Sequence, residues 1–213
     1  MTNDRGLKLI QSVEQADSSH KLVDAVQSLA AARLEEGIPT LIAALSYNNP
    51  GAAVAAVDGL VQLGEVAVPK LLALLDDYNY SGRAWAIRAL AGIGDPRALE
   101  TLREAAETDF AMSVRRSAAK GLGNLRWSAL PAQDISAAQA KALKTLCLTC
   151  QDPEWVVRYA GVVGLQGLAT SAAETQTDIC QTVSEHFEQM LKTESDLAVR
   201  ARAHLALDQL HKG

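Results

Sequence analysis

Apolar and small residues recur at fixed offsets along most of the chain. Take Arg83 as position zero of the segment Arg83-Ala-Trp-Ala-Ile-Arg-Ala-Leu90-Ala-Gly-Ile93-Gly94; a leucine follows seven residues on and another large apolar residue ten on. The same frame fits Arg115 with Leu122 and Leu125, Arg158 with Leu165 and Leu168, and Arg200 with Leu207 and Leu210. The column at offset three holds Ala86, Ala118, Gly161 and Ala203, and that at offset six holds Ala89, Gly121, Gly164 and Ala206. Two earlier segments keep the frame without the arginine: Leu22, Ala25 and Leu29, then Ala53, Ala56, Gly59, Leu60 and Leu63. Offsets of 0, 3, 7 and 10 lie on one stripe of an α-helix, and small residues at 3 and 6 let a neighbouring helix come close.

The frames start at 22, 53, 83, 115, 158 and 200, spaced by 31, 30, 32, 43 and 42 residues. A period drifting from ~30 to ~40 is that of stacked helical hairpins whose loops lengthen along the chain. A buried leucine contributes about 1.5–3 kcal/mol, so one hairpin cannot bury enough alone and its neighbours complete the core.

A second set of helices is predicted between the first. Ile38-Pro39 to Leu45 and Val68-Pro69 to Leu75 are near copies 30 residues apart, and Asp95-Pro96 to Leu102 is the third, with proline in the first turn, where its missing N–H costs nothing. Gly37, Gly64 and Gly94 precede them, where the chain must reverse. Later members are expected over 136–150 and roughly 172–192, with loops at 126–136 and 169–176, and residues 1–18 form an N-terminal cap or tail. No strand alternation is visible. The fold class is therefore all-α: one α-solenoid domain of about five to six hairpins over residues 1–213.

Composition narrows the function classes. Hydrophobic residues make up 48% and aromatics only 4%, which suits closely approaching helices better than sheets. With 20 Lys and Arg against 25 Asp and Glu, the net charge of −5 argues against a nucleic-acid partner, although a local basic groove is compatible with it. No uninterrupted apolar run reaches the ~18 residues that span a membrane, and the opening Met1-Thr-Asn-Asp-Arg-Gly lacks the order of a secretion signal. A cytoplasmic protein without membrane insertion is expected. Cys147 and Cys150 have metal-like spacing, but no second pair completes four ligands, so no metal site is expected. His20, His186, His204 and His211 are scattered, none beside a recognisable nucleophile, and no phosphate loop is present. No catalytic residue can be named.

The recurring arginines have acidic residues just ahead of them: Asp77 before Arg83, Asp109 before Arg115, Asp152 before Arg158 and Asp196 before Arg200. This predicts a structural ladder joining neighbouring hairpins rather than an anion-binding row. More informative are residues that depart from the repeat. Tyr78-Asn79-Tyr80 fills one loop, while Trp85 and Arg88 lie about 200° and about 140° round the helix from Arg83, away from the core stripe. A lone large aromatic on an outer face marks contact with a partner or ligand. Trp127, in the irregular segment after Leu125, either covers the core or lines a groove. Trp155, three residues before Arg158 and about 60° from it, is expected in the core.

The block from Tyr78 through Arg83-Ala-Trp85-Ala-Ile-Arg88 to Asp95-Pro-Arg97, with Asn48-Asn-Pro-Gly-Ala-Ala-Val-Ala-Ala-Val57 and Ser113-Val-Arg-Arg to Leu125, resembles the phycobilisome lyases built from HEAT-like repeats. More specifically, it resembles the F-type (β) subunits of the heterodimeric E/F-type phycocyanobilin lyases acting on the phycocyanin α subunit. The likeness is strong over roughly residues 20–170 and rests on repeat frame and length elsewhere. It implies pairing with an E-type chain, binding of a linear tetrapyrrole as substrate rather than cofactor, and transfer of phycocyanobilin to an apo-phycocyanin α subunit. There a cysteine of the acceptor adds to the ethylidene group of the pigment's A ring and forms a thioether. The nucleophile then belongs to the substrate, in keeping with the missing catalytic constellation. Propionates favour arginine and pigment rings favour aromatic faces. Tyr78, Asn79, Tyr80, Arg83, Trp85, Arg88 and Trp127 are the expected pigment- or partner-binding residues, with Arg83 also open to a ladder role. Isomerising relatives carry an adjacent His-Cys element; no cysteine here follows a histidine, which implies attachment without isomerisation. The competing reading is a non-catalytic repeat scaffold in phycobilisome assembly or turnover.

Overall fold

The computed structural model describes residues 2–75, 80–173 and 176–212. They form twelve α-helices and no strand among the described residues. The first compact unit, Met1–Ile93, holds α1 (Thr2–Glu14), α2 (Ser19–Ala32), α3 (Ile38–Ala44), α4 (Pro50–Leu63), α5 (Val68–Leu75) and α6 (Tyr80–Ile93). The second, Gly94–Gly213, holds α7 (Leu99–Thr108), α8 (Met112–Gly123), α9 (Ala132–Thr149), α10 (Trp155–Ala172), α11 (Thr177–Thr193) and α12 (Leu197–Leu210).

In each unit the even helices pack side by side and each odd helix lies against its even partner. The even helices carry the repeated frame, and its seam is the core: Leu29, Leu60, Ile87 and Leu90 are fully buried in the first unit, Leu122, Leu165 and Leu168 in the second, with Leu146 of α9 and Phe187 of α11 fully buried as well. Leu22 and Leu207, on the end hairpins, are half-buried. Terminal repeats of a stack leave such positions open.

The reversals use the glycines unequally. Gly64 and Gly94 have φ of 73° and 69°, a region that costs other residues energy. Gly37 does not; its φ is −78°, and Arg33 at φ 51° makes the left-handed turn after α2 instead. A side chain on Gly37 would instead press on Leu29 at 2.9 Å, so packing fixes that glycine. Pro50–Leu75 is long and apolar enough on composition to cross a membrane. It is nevertheless two helices broken by a 3₁₀ turn at Gly64–Ala67, and 50% of its apolar window is buried.

Several boundaries differ from expectation: α7 starts at Leu99, after a 3₁₀ turn at Pro96–Ala98, rather than at Asp95-Pro96, and α11 starts at Thr177 rather than near 172. Helix α9 begins at Ala132 rather than 136, because Pro131 stands just ahead of it and Asp134 favours a first turn. Helix α10 continues to Ala172 through residues expected in a loop, since Leu168, Ala169 and Ala172 continue its buried stripe.

The arginine ladder is present in the second unit, with a different acid from the one nearest in sequence. Arg115 donates from Nη1 to the backbone oxygen of Asp109 at 2.9 Å, and from Nε and Nη2 to the carboxylate of Asp152 in the next hairpin at 2.7 and 3.0 Å. Arg158 repeats this on the backbone oxygen of Asp152 (2.9 Å) and the carboxylate of Glu194 (2.8 and 2.9 Å). Asp196 is not the ion-pair partner, because its carboxylate caps α12 by accepting from the N–H groups of Ala198 and Val199. In the first unit Asn49 makes the equivalent tie. Its Oδ1 accepts from Ala52 N–H at 3.1 Å to cap α4, and its Nδ2 donates to Ser19 of the preceding hairpin at 3.1 and 2.9 Å.

Candidate functional site

Two groups of exposed aromatic and cationic side chains stand out, one in each unit. On α6, Trp85 and Arg88 are three residues apart and so neighbours on the helix surface. Trp85 is half-buried, Arg88 is exposed, and the guanidinium carbon lies 5.5 Å from the indole centroid, a cation–π pair. Both lie off the core stripe formed by Ala86, Ile87, Ala89 and Leu90. Arg83 is half-buried and engaged within the protein. Tyr78 and Asn79 lie outside the described residues, and Tyr80 is described only as the first residue of α6. The specific-looking end of this block is a turn: Asp95 accepts from the Arg97 backbone N–H at 2.9 Å and holds its guanidinium at 2.9 and 2.7 Å.

Of the two remaining tryptophans, Trp127 takes the first of its two expected roles and Trp155 departs from its own. Trp127 is 5% exposed, in a 3₁₀ turn (Trp127–Ala129), and its Nε1–H donates to Ser171 Oγ at 3.1 Å. It covers the core and is not available to a ligand. Replacing it with phenylalanine keeps the apolar body and loses one buried hydrogen bond. Stability is expected to fall by about 1 kcal/mol in urea titration, with pigment attachment unchanged.

Trp155 is 46% exposed rather than in the core. It is the first residue of α10, and its counterparts in the frame, Met112 and Leu197, are the first residues of α8 and α12 and are also exposed, at 50% and 70%. The angular reading of the stripe failed because it extended the buried face to the first residue of the helix, a position that is open on α8, α10 and α12 alike.

Trp155 helps to form the second group. A groove of about 350 Å³ is lined by Arg116 and Lys120 of α8, Trp155, Val156 and Tyr159 of α10, and Ala198 of α12. Arg116 and Lys120 are four apart on one helix, and Trp155 and Tyr159 four apart on the next, so two cations face two rings. Among the described residues neither cation has a hydrogen-bond or ion-pair partner. Sequence reasoning missed this groove because its four members come from two hairpins, with Trp155 assigned to the core. The signal available was Arg116 and Lys120, two cations four residues apart on one face of α8.

A larger cavity of about 560 Å³ is lined by Cys150, Asp152, Arg158, His186 and Glu194 among others. It surrounds a ladder rung. Burial pushes the His186 imidazole below its ordinary range and the Cys150 thiol well above its own, so both are held neutral. A protonated buried thiol is inert. No cluster of metal-ligating residues occurs among the described residues.

A family model of HEAT repeats matches residues 68–166. A designed armadillo repeat protein shares the fold at a TM-score of 0.62 and 18% identity, covering 95% of this chain and 98% of that one. The deciding likeness is to a phycocyanobilin lyase subunit beta from Pseudanabaena tenuis, 57% identical over 98% of this chain and 74% of the relative. The chain belongs to the phycocyanobilin lyase β-subunit family. A second family member, from a Nostoc species, is 54% identical over 98% of this chain and all of its own. The phycocyanin alpha phycocyanobilin lyase CpcF of a Synechocystis species is 51% identical over 95% and 93%. The solved complex of CpcE and CpcF of phycocyanin lyase from Nostoc sp. PCC7120 contains a chain with 55% identity and a TM-score of 0.74, covering 80% of this chain and 98% of its own.

Proposed function

We propose that this chain is the F-type (β) subunit of a phycocyanobilin lyase. With an E-type partner it binds phycocyanobilin and attaches it to a cysteine of the phycocyanin α subunit. The observation that carries this reading is the identity of 57% along 98% of the chain to a named β subunit. The solved CpcE–CpcF pair supports the heterodimer.

The chemistry is an addition, in the carbon–sulfur lyase class. The acceptor thiolate forms a C–S bond at the ethylidene carbon, the displaced electron pair enters the conjugated system, and a proton completes it; nothing leaves and nothing is oxidised. An ordinary thiol has a pKa near 8.5 and is only slightly ionised at neutral pH. Holding electrophile and thiol together raises their effective concentration by orders of magnitude. That demands positioning surfaces of the kind Trp85 and Arg88 offer, rather than a nucleophile of the lyase's own; Tyr78, Asn79 and Tyr80 just ahead of them belong to the same proposed surface. The pigment is a substrate, attachment proceeds without isomerisation, and the work takes place in the cytoplasm.

The test is coexpression of this chain with its E-type partner, apo-phycocyanin α subunit and a pigment source. Covalent pigment on denatured α subunit is expected only when both chains are present. Trp85→Ala is expected to lower that yield severalfold while the chain stays folded by circular dichroism. Equal yield without this chain would favour the scaffold reading. A relative from Synechococcus elongatus called a phycobilisome maturation protein, 51% identical over 97% of this chain, gives that reading its support.

A further inference from the structure

We infer that the groove between α8, α10 and α12 is a seat for a propionate-bearing pyrrole ring of the pigment, with Trp155 and Tyr159 as its stacking faces and Arg116 and Lys120 as its carboxylate seat. The inference rests on the lyase reading above and assigns the pigment to residues outside α6.

The groove combines two chemistries that ordinary occupants use singly. Arg116 and Lys120 are exposed and unpartnered among the described residues, in a chain whose overall charge is negative. The helix-start cations Arg115 and Arg158, by contrast, are paired with Asp152 and Glu194. The two free cations are therefore set apart from the ladder. Opposite them, Trp155 leaves 46% of its surface in solvent and Tyr159 sits half-buried one turn on, so a flat apolar ligand gains contact with both. An acidic side chain would use the cations and leave the rings bare. An apolar peptide segment would use the rings and strand two positive charges. A planar conjugated ring carrying a carboxylate arm uses all four, the ring on the indole and phenol and the carboxylate in the guanidinium fork, with the ammonium as second charge. The volume of about 350 Å³ lies within the range of small-molecule sites and suits part of an elongated tetrapyrrole rather than the whole. Val156 and Ala198 complete the lining with apolar side chains.

The experiment titrates phycocyanobilin, and separately its dimethyl ester, into the purified E/F heterodimer and follows the pigment's absorbance and induced circular dichroism. The wild-type pair is expected to bind the free acid about tenfold or more tightly than the ester. Arg116→Gln with Lys120→Gln narrows that difference severalfold by weakening the acid alone. Trp155→Ala weakens acid and ester alike by about tenfold. Gel filtration is expected to show each variant still paired with its partner chain. Wild-type affinity for the acid in both variants overturns the inference and leaves the lyase reading standing. Loss of pairing in the variants also overturns it, marking the groove as a protein interface. If the wild-type pair neither binds pigment nor attaches it, the lyase reading fails and the inference with it.

Discussion

Replacing Gly164 with alanine is expected to cost about 2 kcal/mol of stability, and replacing it with valine more. A Cβ at Gly164 would stand 2.5 Å from the backbone oxygen of Ala119 and 2.5 Å from Leu146 Cδ2. The approach is mutual: a Cβ on Gly123 would meet the Gly164 oxygen at 2.4 Å, and one on Gly167 the Gly123 oxygen at 2.5 Å. Helices α8 and α10 thus touch backbone to backbone, and no side-chain rotation relieves an added methyl group. The helices must separate, and the seam through Leu122 and Leu165 loosens with them. Gly51 is the control. It is exposed at the start of α4, and its Cβ would meet no backbone atom, only the Val23 side chain at 3.0 Å and Asn49 Oδ1 at 3.4 Å, so Gly51→Ala gains helix propensity at little steric cost. Urea midpoints distinguish the two; equal midpoints for both alanine variants would show that the close approach carries no energy.

Arg158→Met is expected to lower stability at neutral pH by about 2–3 kcal/mol and to change the response to acid. The guanidinium of Arg158, with the Asp196 and Ser195 N–H groups, holds Glu194 below the ordinary carboxylate range against the opposing effect of burial. A carboxyl group whose folded pKa is depressed contributes stability that is fully present above its unfolded pKa and is lost as pH falls through the folded one. In the methionine variant Glu194 keeps its burial without its cation, so ionisation there becomes a cost that protonation relieves. The gap between wild type and variant is therefore widest at neutral pH and narrows as the solution is acidified below the ordinary carboxylate pKa. A gap constant from pH 7 to pH 3 would mean that the variant loses packing only.

How much of this was legible in the sequence depended on whether the information lay inside one repeat. The frame of Leu and Ala columns gave the helices, their inward faces and the hairpin number, because each column is a local spacing on one helix. The ladder was legible as a motif, but its pairing was not: Arg115 and Arg158 each take the carboxylate of the acid that stands six residues before the next hairpin's arginine, Asp152 and Glu194, a choice made by geometry across two hairpins. Trp155 was misplaced because an angle around a helix says nothing about whether a neighbour reaches that height. Trp127 was left between core cover and groove until the Ser171 hydroxyl, 44 residues away, settled it. Of the proposed surface, Trp85 and Arg88 were readable as a break in an otherwise small-residue repeat, whereas the groove of Arg116, Lys120, Trp155 and Tyr159 exists only once α8 and α10 are side by side.

The central claim is that this chain positions pigment and acceptor and supplies no thiol of its own. Cys147 and Cys150 are held protonated by burial, and Cys180 Sγ leans on the Ala169 carbonyl at 3.4 Å. The most direct measurement is the initial rate of phycocyanobilin attachment to apo-phycocyanin α subunit by the purified heterodimer, with this chain either wild-type or carrying Cys147→Ser, Cys150→Ala and Cys180→Ser together. The wild-type rate is expected from the cysteine-free pair, and only background when this chain is omitted. A folded, paired, cysteine-free chain that no longer supports attachment, or full attachment without the chain, would contradict the account.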